Sequence, residues 1–294
     1  MRKILILFIV IGFETNSCAQ NKSLLSDYLN QPAPSDIPVI FAPGLISIEN
    51  ANEYPCSFSN DFSFMLFGYN WGGGKKDIMV VNRAVDGKWL MPRKISFTGF
   101  PESEAILSPD NNKIFFAAHS DSTKYKAHDL WYVEKKPGGW GNPMKLIQEI
   151  NSEEYEYFAT LTNKNKIYFT REGKGQILSA DYLNNNYVNI QPIDSIINGM
   201  KFVGHPYISP DESYLIFDSR EFGGFGSADL YISFKTNDKW GNPINLGNKI
   251  NTSDWDAMPI VSPDGQYLFF CREINMIRDI YWVKFDINKY NTIK

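Results

Sequence analysis

The chain has 294 residues, 43% of them hydrophobic and 15% aromatic, so it can bury a large core. Its formal charge is −4, with both signs interspersed and no run of lysine or arginine, which argues against a nucleic-acid partner. No His-x-x-x-His or Cys-x-x-Cys pair is present, so zinc chemistry has no ligand set to work from.

At the N-terminus, Arg2 and Lys3 precede an apolar run over residues 4–13. The run is too short to span a bilayer and has the layout of a secretory signal. Residues 14–20 fit two processing schemes. Cys18, preceded by the small Ser17, resembles a relaxed lipobox cysteine and would carry lipid, although Thr15 and Glu14 depart from that pattern. Alternatively, cleavage follows Ala19, because Ser17 and Ala19 satisfy a small-x-small rule. Residues 1–19 therefore read as a signal peptide, 20–37 as a polar arm or linker, and 38–294 as one domain. Cys56 and Cys271 read as small buried apolar residues, and export would permit a disulfide.

From residue 38 onward the chain repeats. Ser108-Pro109-Asp110, Ser209-Pro210-Asp211 and Ser262-Pro263-Asp264 each precede a short aromatic-rich strand, and weaker copies begin at Ser59 and Thr162. These five starts lie about fifty residues apart. Each interval also carries an Asp before an apolar strand (Asp77, Asp129, Asp229 and Asp279; Gln176 in the third). Three carry a Trp-x-x-Pro strand, at Trp89, Trp140 and Trp240. Short apolar runs broken by Pro-Asp and Asp-Gly are strands and hairpins. One such sheet cannot bury both its faces alone, but copies packed face to face around an axis can.

Ring closure follows from the two ends of the chain. After the fifth Ser-Pro-Asp the Trp-x-x-Pro strand is missing, while Pro43 and Ile46 sit at the offsets of Pro92 and Ile95. The spacing predicts that residues near 39–47 complete the last blade. The expected fold is all-β: a five-bladed β-propeller closed by an N-terminal strand.

Ser-Pro-Asp-(Gly), Asp-Leu-Tyr and Trp-Gly-x-Pro together resemble the WD40-like PD40 repeats of TolB-type propellers. The stretch from Tyr28 to Pro32, with Phe41 to Gly44, looks like secreted Bacteroidetes-type members. The resemblance covers residues 38–290 and implies a fold rather than an activity.

Six residues before each repeat start stand Glu53, Glu102, Glu156, Val203 and Asp256, with His205 just after Val203. Such a ring at a channel mouth could bind a cation such as Ca²⁺ or a basic peptide. A repeated acid at a strand start can equally accept backbone N–H bonds. The repeated aspartates read as turn and inter-strand partners, and the repeated tryptophans as inter-blade packing. Trp71, Phe225 and Trp255 stand outside the repeat and are better binding candidates. No Gly-x-Ser-x-Gly elbow or phosphate-binding glycine loop is present. The sequence thus predicts a monomeric, non-catalytic propeller of the periplasm or outer membrane, touching the membrane only through its lipid. It would bind an envelope protein or a glycan at one channel mouth, without catalytic residues or a cofactor beyond that cation. Two alternatives stand: a five-bladed glycoside hydrolase using a carboxylate pair, and a TolB-like assembly scaffold.

Overall fold

A computed structural model describes residues 24–49, 51–119 and 128–291; the signal segment and Cys18 lie outside them. Five antiparallel sheets are arranged as blades. The inner strands are Asn52–Phe58, Glu102–Leu107, Glu156–Leu161, Val203–Ile208 and Trp255–Val261. Each contacts the inner strand of the next blade, and the fifth contacts the first, so the ring is closed as the repeats predict. Inner strands are buried on both faces, which is why they read as nearly continuous apolar and small residues.

The last blade takes its outer strand from the other end of the chain. Val39–Ile40 pairs antiparallel with Ile277–Lys284, Ile40 opposite Tyr281, and Phe41 N–H donates to the Ile280 carbonyl at 2.8 Å. The strand is shorter than the predicted 39–47. Ala42 adopts a φ of 45° and its carbonyl accepts from Leu45 and Ile46, so the chain turns after Phe41.

The ring has two faces. Links from first to second strand, which hold the Ser-Pro-Asp turns, lie on one, here face 2; links from second to third strand lie on the other, face 1. On face 2 the turn chemistry explains the repeat. Ser108 Oγ donates to Asp110 at 2.6 Å and accepts the Lys113 N–H at 2.9 Å, while Asp110 also accepts the Asn112 N–H. Ser262 and Asp264 do the same. The repeated aspartates tie third strands to their neighbours: Asp77 to Lys94, Asp129 to Lys145, and Asp229 to Asn245. Two of the tryptophans cross between blades, Trp140 edge-on to Phe64 and Trp240 to Tyr168.

The arm is more than a linker. Leu24–Leu25 and Gln31–Pro32 form a small hairpin that places Tyr28 between blades 1 and 5. Tyr28 is 3% exposed, packs on Phe58, Phe62, Tyr267, Phe269 and Trp282, and donates to Asp264 at 2.7 Å. Trp89, the blade-1 counterpart of Trp140, donates instead to the Ser26 carbonyl of this arm. A polar composition hid the docking, because one buried aromatic is enough to seat it.

A second structural device is absent from the motif count. Asn151 accepts the Leu130 N–H and donates to the Leu130 and Leu146 carbonyls. Asn198 and Asn251 hold the third strands of their own blades in the same way. Each lashes the loop leading to the next blade onto the blade just completed.

Candidate functional site

The acidic ring predicted from the repeat turns away from the channel. Glu102 accepts from the Phe97 and Thr98 amides and from Thr98 Oγ1. Glu156 accepts from Ser152 Oγ at 2.5 Å and pairs with Arg171 at 2.7 Å. Asp256 accepts the Thr252 N–H at 2.7 Å and pairs with Arg272 at 2.6 Å. Glu53 accepts the Ile48 N–H and lies against Asp279. Burial, reinforced by the Asp279 charge, pushes Glu53 up to about 9, so it is a neutral acid at pH 7. All four carboxyls are buried and act on their own inter-blade loops. Among the described residues, no three His, Cys, Asp or Glu side chains gather as a metal site requires. The carboxylate pair invoked for glycoside hydrolysis loses its candidate members for the same reason.

The channel mouth on face 1 is built two residues further along each inner strand. There every inner strand bulges, its register slipping between Tyr54 and Ser57, Ser103 and Ile106, Tyr157 and Thr160, Gly204 and Tyr207, and Ala257 and Ile260. A bulge places two residues against one and re-aims a side chain. The bulged residues are Pro55, Glu104, Phe158, His205 and Met258. The last four hold φ between 47° and 60°, while proline's ring bars Pro55 from that region. Unlike the acids two positions earlier, these five do not repeat.

His205 stands on the bulge of the fourth inner strand and is 6% exposed. Its Nδ1 donates to the buried Asp218 carboxylate at 2.7 Å, and its Nε2 has no hydrogen bond among the described residues. Its ring lies against Phe158, Tyr157 and the expected Trp255, at centroid distances of 5.2, 5.1 and 6.1 Å. Glu104 escaped the sequence reading. It is 7% exposed, its Oε2 has no hydrogen-bond partner, and burial raises its pKa against the charges of His205, Lys76 and Arg278. Stepping back four residues from each repeat start, rather than six, would have found it as the one carboxylate in a non-repeating set.

Two cations complete the mouth. Lys76 and Arg278 each lie 5.6 Å from the centroid of the Tyr54 ring, and Arg278 also lies 4.7 Å from that of Trp255. Arg278 pairs with Glu273 through Nη2 at 2.8 Å but leaves Nε buried without a partner. Lys76 makes no ion pair among the described residues, and burial lowers its pKa. Its charge acts through space on His119 and His128, whose Nε2 atoms are 3.0 Å apart. All three histidines of the chain therefore stand on this face. Trp71 and Phe225 are exposed at hairpin tips of the same face, Trp71 tied to Asp77.

No protein-family model matches the chain, and no curated protein matches it. Among solved structures, TolB from Acinetobacter baumannii is similar, with 12% identity and a TM-score of 0.51, over 80% of this chain and 55% of that one. The chain thus spans about half the length of that TolB. A luciferin-regenerating enzyme is similar over 84% of this chain and 94% of that one, with 8% identity and a TM-score of 0.50. At such identities the likeness is one of fold, and the TolB-type propeller read from the repeats holds at that level. No helix among the described residues is long and apolar enough to cross a membrane.

Proposed function

We propose that the chain is an exported, non-catalytic envelope propeller that binds a protein or glycan partner at the face-1 mouth. The carrying observation is the convergence there of non-repeating residues, with Glu104 Oε2 and Arg278 Nε buried and unpartnered. A buried polar atom without a partner costs about 1–3 kcal/mol, and here an open acceptor and an open donor stand among residues that do not repeat. Aromatic rings beside them supply contact area, and the closed ring holds the set rigid, which lowers the entropy lost on binding. The fold it shares with TolB accords with an envelope role. Anchorage through a lipid on Cys18 would set the molecule's direction. The arm docks on Asp264 and Trp89, both on face 2, so the lipid would hold face 2 toward the membrane and turn the mouth outward.

The test is a glycan array together with pull-down of envelope proteins, using wild type, Glu104→Gln and Arg278→Met. Saturable binding that either substitution weakens tenfold, with melting temperature kept, supports the reading. Binding untouched by both substitutions overturns it. A second reading, glycoside hydrolysis, rests on the Asp218–His205 pair beside Glu104. Release of reducing ends that Glu104→Gln abolishes would favour it over binding alone.

A further inference from the structure

The mouth carries an imbalance that narrows its ligand. Lys76 is half-buried and without an ion pair among the described residues. Glu104 and Glu172 act on it only through space. Arg278 spends one nitrogen on Glu273 and holds Nε toward no acceptor. Both cations lie against Tyr54, which fixes where they stand. Two fixed cationic groups with spare donors call for an anion, and guanidinium and ammonium are the groups that take a carboxylate.

The rest of the mouth suits a polyhydroxylated ring. Trp255 and Tyr157 are half-buried aromatics whose exposed parts can receive the apolar face of a pyranose. Glu104 Oε2 is an acceptor without a partner and His205 Nε2 has no hydrogen bond among the described residues, and sugar hydroxyls can both donate and accept. The side chains of an acidic peptide would satisfy the cations but, as acceptor-only carboxylates, could neither donate to Glu104 nor cover the aromatic faces as a pyranose ring does.

Building on the binding reading above, we propose that the face-1 mouth binds a uronic-acid residue of an anionic glycan. Its carboxylate would meet Lys76 and Arg278, its hydroxyls Glu104 and His205, and its ring Trp255 or Tyr157.

Calorimetry on the full chain tests this with four probes: oligogalacturonate, its neutral methyl ester, glucuronate-containing oligosaccharides of the heparosan type, and poly-glutamate. At least one uronate probe should bind, the methyl ester at least tenfold more weakly, and poly-glutamate at least tenfold more weakly than the uronate. Lys76→Met and Arg278→Met should each weaken uronate binding about tenfold and bring acid and ester closer together, with Arg278→Lys recovering part of the loss. Trp255→Ala should weaken acid and ester alike. The proposal fails if neither uronate probe binds, if the ester binds equally, if poly-glutamate matches the sugars, or if neither cation substitution changes affinity. Neutral glycans or an envelope protein bound in a Glu104-dependent way would overturn the anionic assignment and leave the broader binding reading standing.

Discussion

Replacing Glu53 by Gln should stabilise the protein, and the gain should grow with pH. Glu53 is fully buried at the start of the first inner strand, with the Asp279 carboxyl beside it. Burial first, and Asp279 second among the raising influences, lift its pKa from 4.5 to about 9. Between those values the folded chain keeps a proton that the unfolded chain has released, so stability falls as pH rises through that window. Below pH 4.5 both states are protonated and the difference vanishes. At pH 7 the penalty is about 2.5 units at 1.36 kcal/mol each, or about 3 kcal/mol. Gln keeps the shape, accepts the Ile48 N–H and donates to Asp279 without a proton to lose. Urea denaturation of wild type and Glu53→Gln at pH 4.5, 7 and 8.5 measures the effect. The two should coincide at pH 4.5 and separate by about 3 kcal/mol at pH 7. A difference independent of pH, or a variant less stable at pH 8.5, would refute the shared proton.

Three other perturbations have defined outcomes. Burial, then Lys76 and His119, push His128 down to about 3, so the folded chain refuses a proton that the unfolded chain accepts near 6.5. Its contribution is intact above pH 6.5 and is lost as pH falls toward 3; melting temperatures of His128→Gln should converge on, or exceed, wild type over that range. Asn151→Ala orphans the Leu130 N–H and the Leu146 C=O, while the Leu130 C=O keeps the Leu146 N–H, and should cost about 2–3 kcal/mol by chemical denaturation; a loss below about 1 would mean water replaces the tether. Tyr28→Ala should cost about 3–5 kcal/mol and speed hydrogen exchange in blades 1 and 5, while Tyr28→Phe, losing only the bond to Asp264, should cost about 1.

The fold was legible because the turns demand particular chemistry. A hydroxyl at Ser108 and a carboxylate at Asp110 close the hairpin, so the same letters return wherever the hairpin does. The outer strand missing after Asp279 gave away closure, but the offsets of Pro43 and Ile46 misplaced its register: Phe41 meets Ile280 as Leu146 meets Leu130, and Pro43 and Ile46 lie beyond the turn. What stayed hidden depends on contacts between blades. Tyr28 lies more than two hundred residues from Asp264, and nothing local marks it as buried. Glu104 and His205 act on each other through space from inner strands two blades apart, a proximity that only the curvature of the ring creates. The repeated acids attracted attention because they repeat, and for that reason they serve the scaffold.

The two faces differ in what their side chains are free to do. On face 2 the five links from first to second strand, 59–63, 108–112, 162–166, 209–213 and 262–266, are all the same length. Their polar side chains are spent on closing turns, so a change there unmakes a hairpin. On face 1 the corresponding links among the described residues, 71–75, 172–175, 220–228 and 275–276, run from two residues to nine. The inner-strand bulge adds to that freedom. It takes one residue per blade out of the ladder, so its side chain has no packing duty shared by all five blades. Holding a non-glycine residue at positive φ costs roughly 1 kcal/mol or more, which the surrounding ladder must absorb four times over. What this secures is a ring of five independently variable positions aimed at one mouth. A carboxylate at one and an Asp-held imidazole at another are differences that a purely architectural ring has no need to make.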